Sequence, residues 1–411
     1  MTASARIQGR VAVLQNGRFR LLFLATLGSA IGTYATMIAL TADIDGRTES
    51  TWWVALLFLV TFMPKIFVGL FVGPLIDRLS RKMLIVGSDV VRLAVFALLP
   101  FAHHTGTMIL LAAFAGVADS FFRPAVLAGA PNLVDERELD SATTLLTGTE
   151  WLAIAIGPLI AGTLVSLSGP HVVYWMNAAT FLFSAILLLR IPGRLLQSEH
   201  EITRGHWRDL REGFTAFRST ALRVALYGFG LTVIASGLVN VSEIFLATRS
   251  LDSSRGFGFG LLWAASGVGL VAGSIVTGLL LDRHNVLNLY ALAFVPLTVG
   301  ILGAAVAPNI WVAATSMMLT GFGNGLTFPM TILIVQRYTS DRLRGRAFTV
   351  IISVQTALLG LGQFTSAPLT GAFGARWTYV VAAAFTAASA LVVVALLRAD
   401  TSRLVPREAP A

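Results

Sequence analysis

Residues 73–82 read GPLIDRLSRK and form a short charged segment between two long apolar runs. The runs cover residues 51–76 and 83–101, and about twenty apolar residues are enough to cross the hydrocarbon core of a bilayer. Charged side chains enter that core only at a high free-energy cost. The segment is therefore predicted to lie at a membrane face and to join two membrane-spanning helices.

The same segment occurs a second time in the chain. Residues 278–283 read GLLLDR, 205 positions after GPLIDR at residues 73–78. Other residues repeat at the same interval: Gly116 with Gly321, Pro124 with Pro329, Ala142 with Ala347, and Gly157 with Gly362. An interval of half the 411-residue chain indicates that a whole bundle of helices has been duplicated. Two such bundles with a binding site between them are typical of alternating-access transporters.

The composition excludes a large soluble enzyme, and no catalytic activity is predicted. Hydrophobic residues make up 55% of the chain and charged residues 12%, whereas a soluble protein carries about 25% charged residues. A net charge of +9 would suggest a nucleic-acid partner for a soluble protein, but here we attribute it to basic residues that face the cytoplasm. The absence of cysteine excludes disulfides, thiolate chemistry and cysteine-bound metal. Residues 1–19 contain arginines but no apolar core, so no cleavable signal peptide is expected.

The hydrophobic pattern predicts twelve membrane-spanning helices. The predicted spans are residues 20–42, 51–76, 83–101, 107–130, 142–167, 172–191, 221–247, 257–281, 286–307, 310–335, 346–370 and 376–398. They divide into an N-terminal six-helix bundle (1–191), a cytoplasmic linker (192–220) and a C-terminal six-helix bundle (221–411).

The basic residues predict the orientation of the chain. With the N-terminus in the cytoplasm, 23 of the 30 basic residues fall on cytoplasmic segments, four on the opposite face and three inside spans. Cytoplasmic loops of membrane proteins are enriched in Lys and Arg. Both termini are therefore predicted to be cytoplasmic.

The linker carries apolar residues at helical spacing. Trp207, Leu210, Phe214 and Phe217 would share one face of a helix, with arginines on the other faces. This pattern fits an amphipathic helix on the inner leaflet, and it equally fits a linker helix packed on the protein.

Several of these motifs resemble those of the major facilitator superfamily. GPLIDRLSRK resembles the G-x-L-x-D-R-x-x-R-K signature at the loop between helices 2 and 3, with Ser80 where a glycine is usual. The helix-5 segment with Gly157, Pro158 and Gly162 resembles a glycine-proline motif of proton-coupled exporters, with Ala153 where a further glycine is usual.

Three further segments resemble the enterobactin-exporter and macrolide-efflux branch of that superfamily. They are DSFF at residues 119–122, APNLV at 130–134 and RGR at 344–346. The resemblance implies an all-α membrane protein of twelve transmembrane helices in two pseudo-symmetric six-helix bundles. It also implies a multi-pass location in a bacterial inner membrane.

The charged segment at residues 73–82 is a candidate cytoplasmic gate. Gly73 lets helices approach closely, and the resemblance implies that Asp77 lies against the start of helix 11, where a helix N-terminus favours a carboxylate. Arg81 can reach the acidic loop that begins at Asp135. The predicted gate residues are Gly73, Asp77, Arg78, Arg81 and Asp135. The alternative is that these charges only set the topology.

Charged residues inside spans are functional candidates because lipid disfavours them. Asp119 and Arg123 are four residues apart and Asp89 and Arg92 three apart, so each pair can form within one helix. Glu150 has no base on its own helix, and Lys65 either extends to the interface or pairs with Asp89. The candidates for proton coupling are Asp119, Glu150, Arg123, Asp89 and Arg92. The alternative is an ion pair that only orients helices.

The internal repeat separates the two halves chemically. At the interval of 205 residues, Asp119 corresponds to Asn324, Glu150 to Gln355 and Arg123 to Phe328. The first half thus has titratable groups where the second half has neutral ones. This asymmetry favours proton handling in the N-terminal bundle, where burial favours the protonated acid.

The predicted function is export of a small amphipathic molecule, such as a drug or siderophore, by proton antiport with alternating access. Residues predicted to line the substrate cavity are Phe121, Phe122, Trp151, Asn324, Phe328 and Gln355. A lysolipid flippase and an uptake symporter of the same fold stay open as alternatives, and a transport-inactive receptor is disfavoured by the intact gate motif.

No cofactor or metal is predicted. The chain contains no phosphate-binding G-x-x-x-x-G-K-[ST] loop, and no strand precedes its glycine-rich stretches. The expected partners are a small-molecule substrate, protons and the lipid bilayer. We expect a monomer and no nucleic-acid partner.

Overall fold

The protein is described by a computed structural model that covers residues 13–67, 79–196, 217, 219–281, 285–339 and 341–399. Within these ranges the chain forms twelve long α-helices and no strand, which confirms the predicted fold class. The helices are α1 (Gly17–Thr48), α2 (Thr51–Phe67), α3 (Arg81–Leu98), α4 (Thr105–Gly129), α5 (Leu139–Ser168), α6 (Pro170–Leu189), α7 (Thr220–Phe245), α8 (Phe257–Leu281), α9 (Val286–Val306), α10 (Ile310–Tyr338), α11 (Asp341–Phe373) and α12 (Ala375–Ala399).

These helices correspond one to one with the predicted spans. Among the described residues, eleven are long and apolar enough to cross a membrane, and the apolar stretch Thr51–Lys65 of α2 is shorter. Among helix ends that do not border an undescribed segment, the largest difference is at the end of α1, which continues six residues past the predicted end at residue 42. The added turn contains Asp43 and Arg47, which form an ion pair four residues apart at 2.7 Å and so keep polar side chains satisfied within the helix.

The start of α1 is fixed by a capping residue. The side chain of Asn16 accepts hydrogen bonds from the backbone N–H groups of Arg18 and Phe19, at 3.0 and 3.3 Å. Such a cap satisfies N–H groups that have no partner inside the helix. Asn16 also donates from its amide to the carbonyl oxygen of Leu133 at 2.7 Å, which ties the helix start to the segment after α4.

The chain divides into two compact units. Unit 1 comprises Met1–Glu49, Val60–Thr203 and Arg255–Gly260, and unit 2 comprises Ser50–Leu59, Arg204–Ser254 and Leu261–Ala411. The linker helix predicted around residues 207–217 falls almost wholly outside the described residues, of which only Phe217 is included there.

The sequence repeat is visible in how helices pack inside each unit. A Cβ at Gly116 of α4 would lie 2.8–3.0 Å from backbone atoms of Val60 and Thr61 on α2. A Cβ at Gly321 of α10 would overlap the backbone of Ser266 on α8. Residues 61 and 266 are again 205 positions apart, so equivalent helices cross at equivalent points in the two units. Glycine permits this close approach of helix backbones.

The outer surface of the helices is apolar, as a lipid-facing surface must be. On α4, Leu110, Phe114 and Val117 follow one helical face and are all exposed. Contiguous exposed apolar side chains of this kind are unusual on a soluble protein. The polar and charged side chains of the membrane-spanning helices instead gather inside the units.

Candidate functional site

Six ionised side chains inside unit 1 form what we call the charge network. Its members are Lys65 on α2, Asp89 and Arg92 on α3, Asp119 and Arg123 on α4, and Glu150 on α5. The three bases balance the three acids, so the network is neutral as a whole. Neutrality matters here because an uncompensated charge in a membrane interior is costly.

Arg92 is the centre of the network. One guanidinium nitrogen contacts Asp89 at 2.7 Å, as the three-residue spacing predicts, and the other contacts Asp119 at 2.9 Å. The rings of Phe122 and Phe181 lie on the guanidinium, each with its centroid 4.4 Å from the central carbon. A planar guanidinium suits this arrangement, because its edge binds carboxylates while its faces stack on aromatic rings.

Asp89 is held from a second side. Its other carboxylate oxygen accepts a hydrogen bond of 2.5 Å from the hydroxyl of Ser184 on α6. The side chains of Asp89 and Arg92 are 0% and 2% exposed, so this pair is sealed inside the unit. A buried pair with all its hydrogen bonds satisfied is suited to a structural role.

Asp119 does not take the partner that its helix offers. The sequence predicts a pair with Arg123 on the same helix, but the two carboxylate oxygens contact Arg92 and Lys65, each at 2.9 Å. That prediction is wrong because a buried arginine needs more than one acceptor, and Asp119 lies across from it. The alternative pairing of Lys65 with Asp89 is likewise replaced by Lys65 with Asp119.

Arg123 instead pairs with Glu150 on α5. The second carboxylate oxygen of Glu150 accepts a hydrogen bond of 3.3 Å from the hydroxyl of Tyr34 on α1. The sequence shows no base on the helix of Glu150, and the base that pairs with it in the structure comes from α4. The side chains of Arg123 and Glu150 are 45% and 25% exposed, close to the 43% and 22% of Lys65 and Asp119, so these are the two accessible ion pairs of the network.

Sequence reasoning missed three members of this site: Tyr34, Ser184 and Phe181. None carries a charge, and none stands at a helical spacing from the acid or base that it contacts. The only signal that could have found them is that a hydroxyl or aromatic residue inside an apolar span is available to a buried charge on a neighbouring helix.

The glycine-proline motif on α5 lies at a close helix crossing. A Cβ at Gly157 would lie 2.9–3.2 Å from atoms of Ile31, Tyr34 and Ala35 on α1. Gly157 therefore brings α5 next to the turn of α1 that carries Tyr34, the partner of Glu150. Pro158 and Gly162 approach the segment Arg255–Gly260 of the same unit, where Gly260 faces the carbonyl of Pro158.

Part of the predicted gate lies outside the described residues, namely Gly73, Asp77 and Arg78. Arg81 begins α3 and donates to the carbonyl oxygens of Ala128 and Leu196, at 2.8 and 3.0 Å. Asp135 precedes a short 3-10 turn, and its carbonyl accepts from the N–H of Glu138 at 2.8 Å. The contact between Arg81 and Asp135 stays a prediction.

Of the six residues predicted to line the substrate cavity, one is buried, one is exposed and four are partly buried. Phe122 is 5% exposed and packs on Arg92 inside unit 1. Phe328 in unit 2 is exposed and its ring centroid lies 5.9 Å from that of Phe229. The other four, which are partly buried, are Phe121, Trp151, Asn324 and Gln355. Among the described residues, no three His, Asp or Glu side chains are grouped so that they could hold a metal ion.

Comparison with known proteins identifies the family. A model described as Major Facilitator Superfamily matches residues 22–358 and 226–411. The chain is 28% identical over 394 residues to enterobactin exporter EntS of Citrobacter koseri, and 29% identical to enterobactin exporter EntS of Shigella boydii. Both alignments cover 92% of this chain and 90% of the relative.

Solved structures agree on the fold. The nucleoside transporter NupG gives a TM-score of 0.72 at 15% identity, over 93% of this chain and 99% of that one. A bacterial homolog of the human lysosomal transporter Spinster gives a TM-score of 0.73 at 14% identity, over 98% and 99%. At these identities the likeness concerns the fold alone. With its apolar helices and a family match that spans nearly its whole length, the chain is a multi-pass membrane protein and belongs to the major facilitator superfamily.

Proposed function

We propose that the protein is a secondary active transporter that exports a small amphipathic molecule in exchange for protons. The observation that carries the proposal is the Arg123–Glu150 pair, which is accessible and lies inside membrane-spanning helices of a major facilitator protein. The similarity to proteins named enterobactin exporters supports export of a siderophore, a drug or a related metabolite.

The geometry favours Glu150 as the acid that takes the proton. Glu150 faces one base and a neutral phenol, whereas Asp119 lies between two cations. A proton on Asp119 would have to displace two favourable charge contacts. A proton on Glu150 would displace one, and it would release Arg123.

The release of Arg123 is the step that we propose links proton binding to export of the substrate. With Glu150 ionised, the base and acid neutralise each other and neither is free. With Glu150 protonated, the Arg123 cation loses its counter-ion, and the pair can re-form only after the proton leaves. Alternating access would let the proton enter on one side of the membrane and leave on the other. The membrane potential adds about 2.3 kcal/mol per charge per 100 mV, and each 1.4 kcal/mol is a factor of about ten in concentration.

The Asp89–Arg92 pair is assigned the structural role in this scheme. It is sealed from solvent, and protonation of Asp89 would leave Arg92 with a single carboxylate. Asp119 connects this rigid pair to Lys65 and is the second candidate for proton coupling.

The proposed location is a bacterial inner membrane with both termini in the cytoplasm, supported by the distribution of basic residues. In this orientation the gate residues Asp77 and Arg81 lie on the cytoplasmic side. The protein is proposed to work as a monomer.

The test is transport in inside-out vesicles with an imposed pH gradient, acid inside. Enterobactin and a cationic fluorescent dye serve as the two probe substrates. Accumulation of either probe that collapses with a protonophore supports proton antiport. Accumulation that survives collapse of the gradient, or accumulation of neither probe, contradicts the proposal in this form.

A further inference from the structure

Among the described residues of unit 2, one acidic residue lies inside a membrane-spanning helix. Glu243 lies on α7, two residues before the helix ends at Phe245. The other acids between residues 220 and 399 fall between the spans predicted from the sequence, namely Asp252, Asp282 and Asp341. The internal repeat places Ile38 at the equivalent position of the first half, so the comparison of halves did not reveal Glu243.

Within the part of the chain that the structure describes, no base forms an ion pair with the carboxylate of Glu243. The residue is 2% exposed, and its Oε1 atom is buried without a hydrogen-bond partner. The acids of the charge network in unit 1 each contact at least one base, so Glu243 differs from them. An ionised carboxylate in such surroundings is unfavourable, whereas a neutral carboxylic acid is not.

The helix α12, which packs against α7, carries a buried phenol. Tyr379 is fully buried, and its hydroxyl likewise has no hydrogen-bond partner. Arg376, three residues before Tyr379, donates to the carbonyl oxygen of Ser250, seven residues after Glu243, so Tyr379 and Glu243 lie at the same end of the two helices. The neighbouring hydroxyl of Thr378 bonds that of Thr370 at 3.0 Å, so unsatisfied hydroxyls are not general at this helix crossing. A tyrosine hydroxyl can donate to a carboxylate or accept from a carboxylic acid.

Other charged groups on the neighbouring helices are engaged elsewhere. On α12, Arg376 donates to the carbonyl oxygens of Ser250, Ala305 and Ala307 at 2.7–3.3 Å. Past the end of α7, Arg249 lies over the ring of Phe245, 4.5 Å from its centroid. On α11 the charged residues belong to its first turns, at Asp341–Arg346, and on α10 Arg337 and Tyr338 close the helix.

The backbone next to Glu243 is irregular. Residues Leu246–Ser250 form a π-helical turn that begins three residues after Glu243. Single π-helical turns in α-helices are rare and are frequent at functional sites. Arg376 bonds the last carbonyl of this turn, at Ser250, so the turn and the start of α12, which carries Tyr379, are tied together.

We propose that Glu243 and Tyr379 form a proton-binding site of unit 2, separate from the charge network of unit 1, and that its proton is exchanged during transport. The binding of the proton follows from the burial and the unpartnered oxygens. The exchange of this proton rests on the proposed proton-coupled function. Glu243 would then be a titratable group in the second half of the chain, where the residues that correspond to Asp119, Arg123 and Glu150 are neutral.

Infrared spectroscopy of the purified protein tests the binding directly. A protonated carboxyl has a C=O stretching band that an ionised one lacks. We expect this band at neutral pH in the wild type and its loss in Glu243→Gln, which keeps the shape of the neutral acid. Asp252→Asn is the matched control, because Asp252 is an exposed acid beyond the π-helical turn, and it should leave the band unchanged.

The same measurement has outcomes that overturn the site. A band that persists unchanged in Glu243→Gln, or no band at neutral pH, shows that Glu243 holds no proton. Stabilisation of the wild type by Na⁺ without a protonated band would assign a metal cation in place of the proton. Tyr379→Phe should shift the band without removing it, and an unshifted band would remove Tyr379 from the site.

The exchange is tested by the number of protons moved per substrate molecule in vesicles. Glu243→Gln should lower that number without abolishing transport, and an unchanged number overturns the exchange. The infrared measurement needs neither substrate nor gradient. If the wild type moves no protons at all, the proposed function is wrong. The infrared band of the protonated carboxyl still shows in that case whether Glu243 binds a proton.

Discussion

Arg123 pairs with Glu150 on a neighbouring helix, although Asp119 stands four residues before it on its own helix. The choice follows from the needs of Arg92, which is almost fully buried and contacts both Asp89 and Asp119. Asp119 is thereby taken up by Arg92 and Lys65, and Arg123 pairs with Glu150, although the two acids are similarly exposed at 22% and 25%. The network thus contains a sealed pair, Asp89–Arg92, and two partly exposed pairs, Lys65–Asp119 and Arg123–Glu150.

The two parts should differ in their effect on stability. Arg92→Met leaves Asp89 buried and unpaired, and removal of one partner of a buried pair costs about 3–5 kcal/mol. Arg123→Met is the matched control, since the same change at an ion pair that is partly exposed is expected to cost under about 1 kcal/mol. Thermal unfolding in detergent measures both. Equal loss of stability in the two variants would contradict the division of roles.

Glycines at the equivalent crossings should respond alike. Gly116→Ala and Gly321→Ala each place a Cβ against the backbone of a neighbouring helix, and overpacking of this kind costs about 1–3 kcal/mol. Gly148→Ala is the control, because a Cβ there meets nothing within 4 Å, and alanine in a helix is favoured over glycine by about 0.5–1 kcal/mol. The melting temperature should fall in the first two variants and hold or rise in the third. A rise in all three would refute the close crossings.

Much of the fold could be predicted from the sequence. The twelve spans follow from apolar runs long enough to cross a bilayer, and the two-fold organisation follows from the interval between Gly116 and Gly321. The pair Asp89–Arg92 could be predicted because both residues lie on one helix, where spacing determines contact.

The remaining contacts of the site could not be predicted in this way. Contacts such as Glu150 with Tyr34 depend on which helices are neighbours and on how each is rotated, and a single sequence states neither. The four-residue spacing favoured an ion pair between Asp119 and Arg123, but Asp119 instead contacts the buried guanidinium of Arg92 on another helix. Glu243 was missed because no base stands near it in sequence and its counterpart, Ile38, is apolar.

The absence of cysteine makes the orientation easy to test. Ser253→Cys lies in the connection between α7 and α8 that is predicted to face outward, and Ser198→Cys lies in the predicted cytoplasmic linker. An impermeant maleimide added to intact cells should label only Ser253→Cys, and Ser198→Cys should react after permeabilisation. The reverse labelling pattern would show that the predicted orientation is wrong.

The gate prediction is tested by removing one charge. Asp77→Asn keeps the size of the side chain and removes its attraction to a helix N-terminus. We expect transport to fall at least tenfold, a loss that corresponds to about 1.4 kcal/mol, while membrane insertion is retained. Asp135→Asn shows whether the acidic loop belongs to the same gate. If Asp77→Asn transports at the wild-type rate, the charged segment is not a gate and its charges only set the topology.

The most direct test of proton antiport is pH-driven accumulation of enterobactin or dye in inside-out vesicles that contain Glu150→Gln. Glutamine keeps the hydrogen bond to Tyr34 but cannot exchange a proton. We predict that Glu150→Gln abolishes accumulation driven by the gradient, that Asp119→Asn weakens it, and that Asp252→Asn, at an exposed acid beyond the π-helical turn, leaves it unchanged. Full pH-driven accumulation in both Glu150→Gln and Asp119→Asn would contradict proton coupling through the charge network.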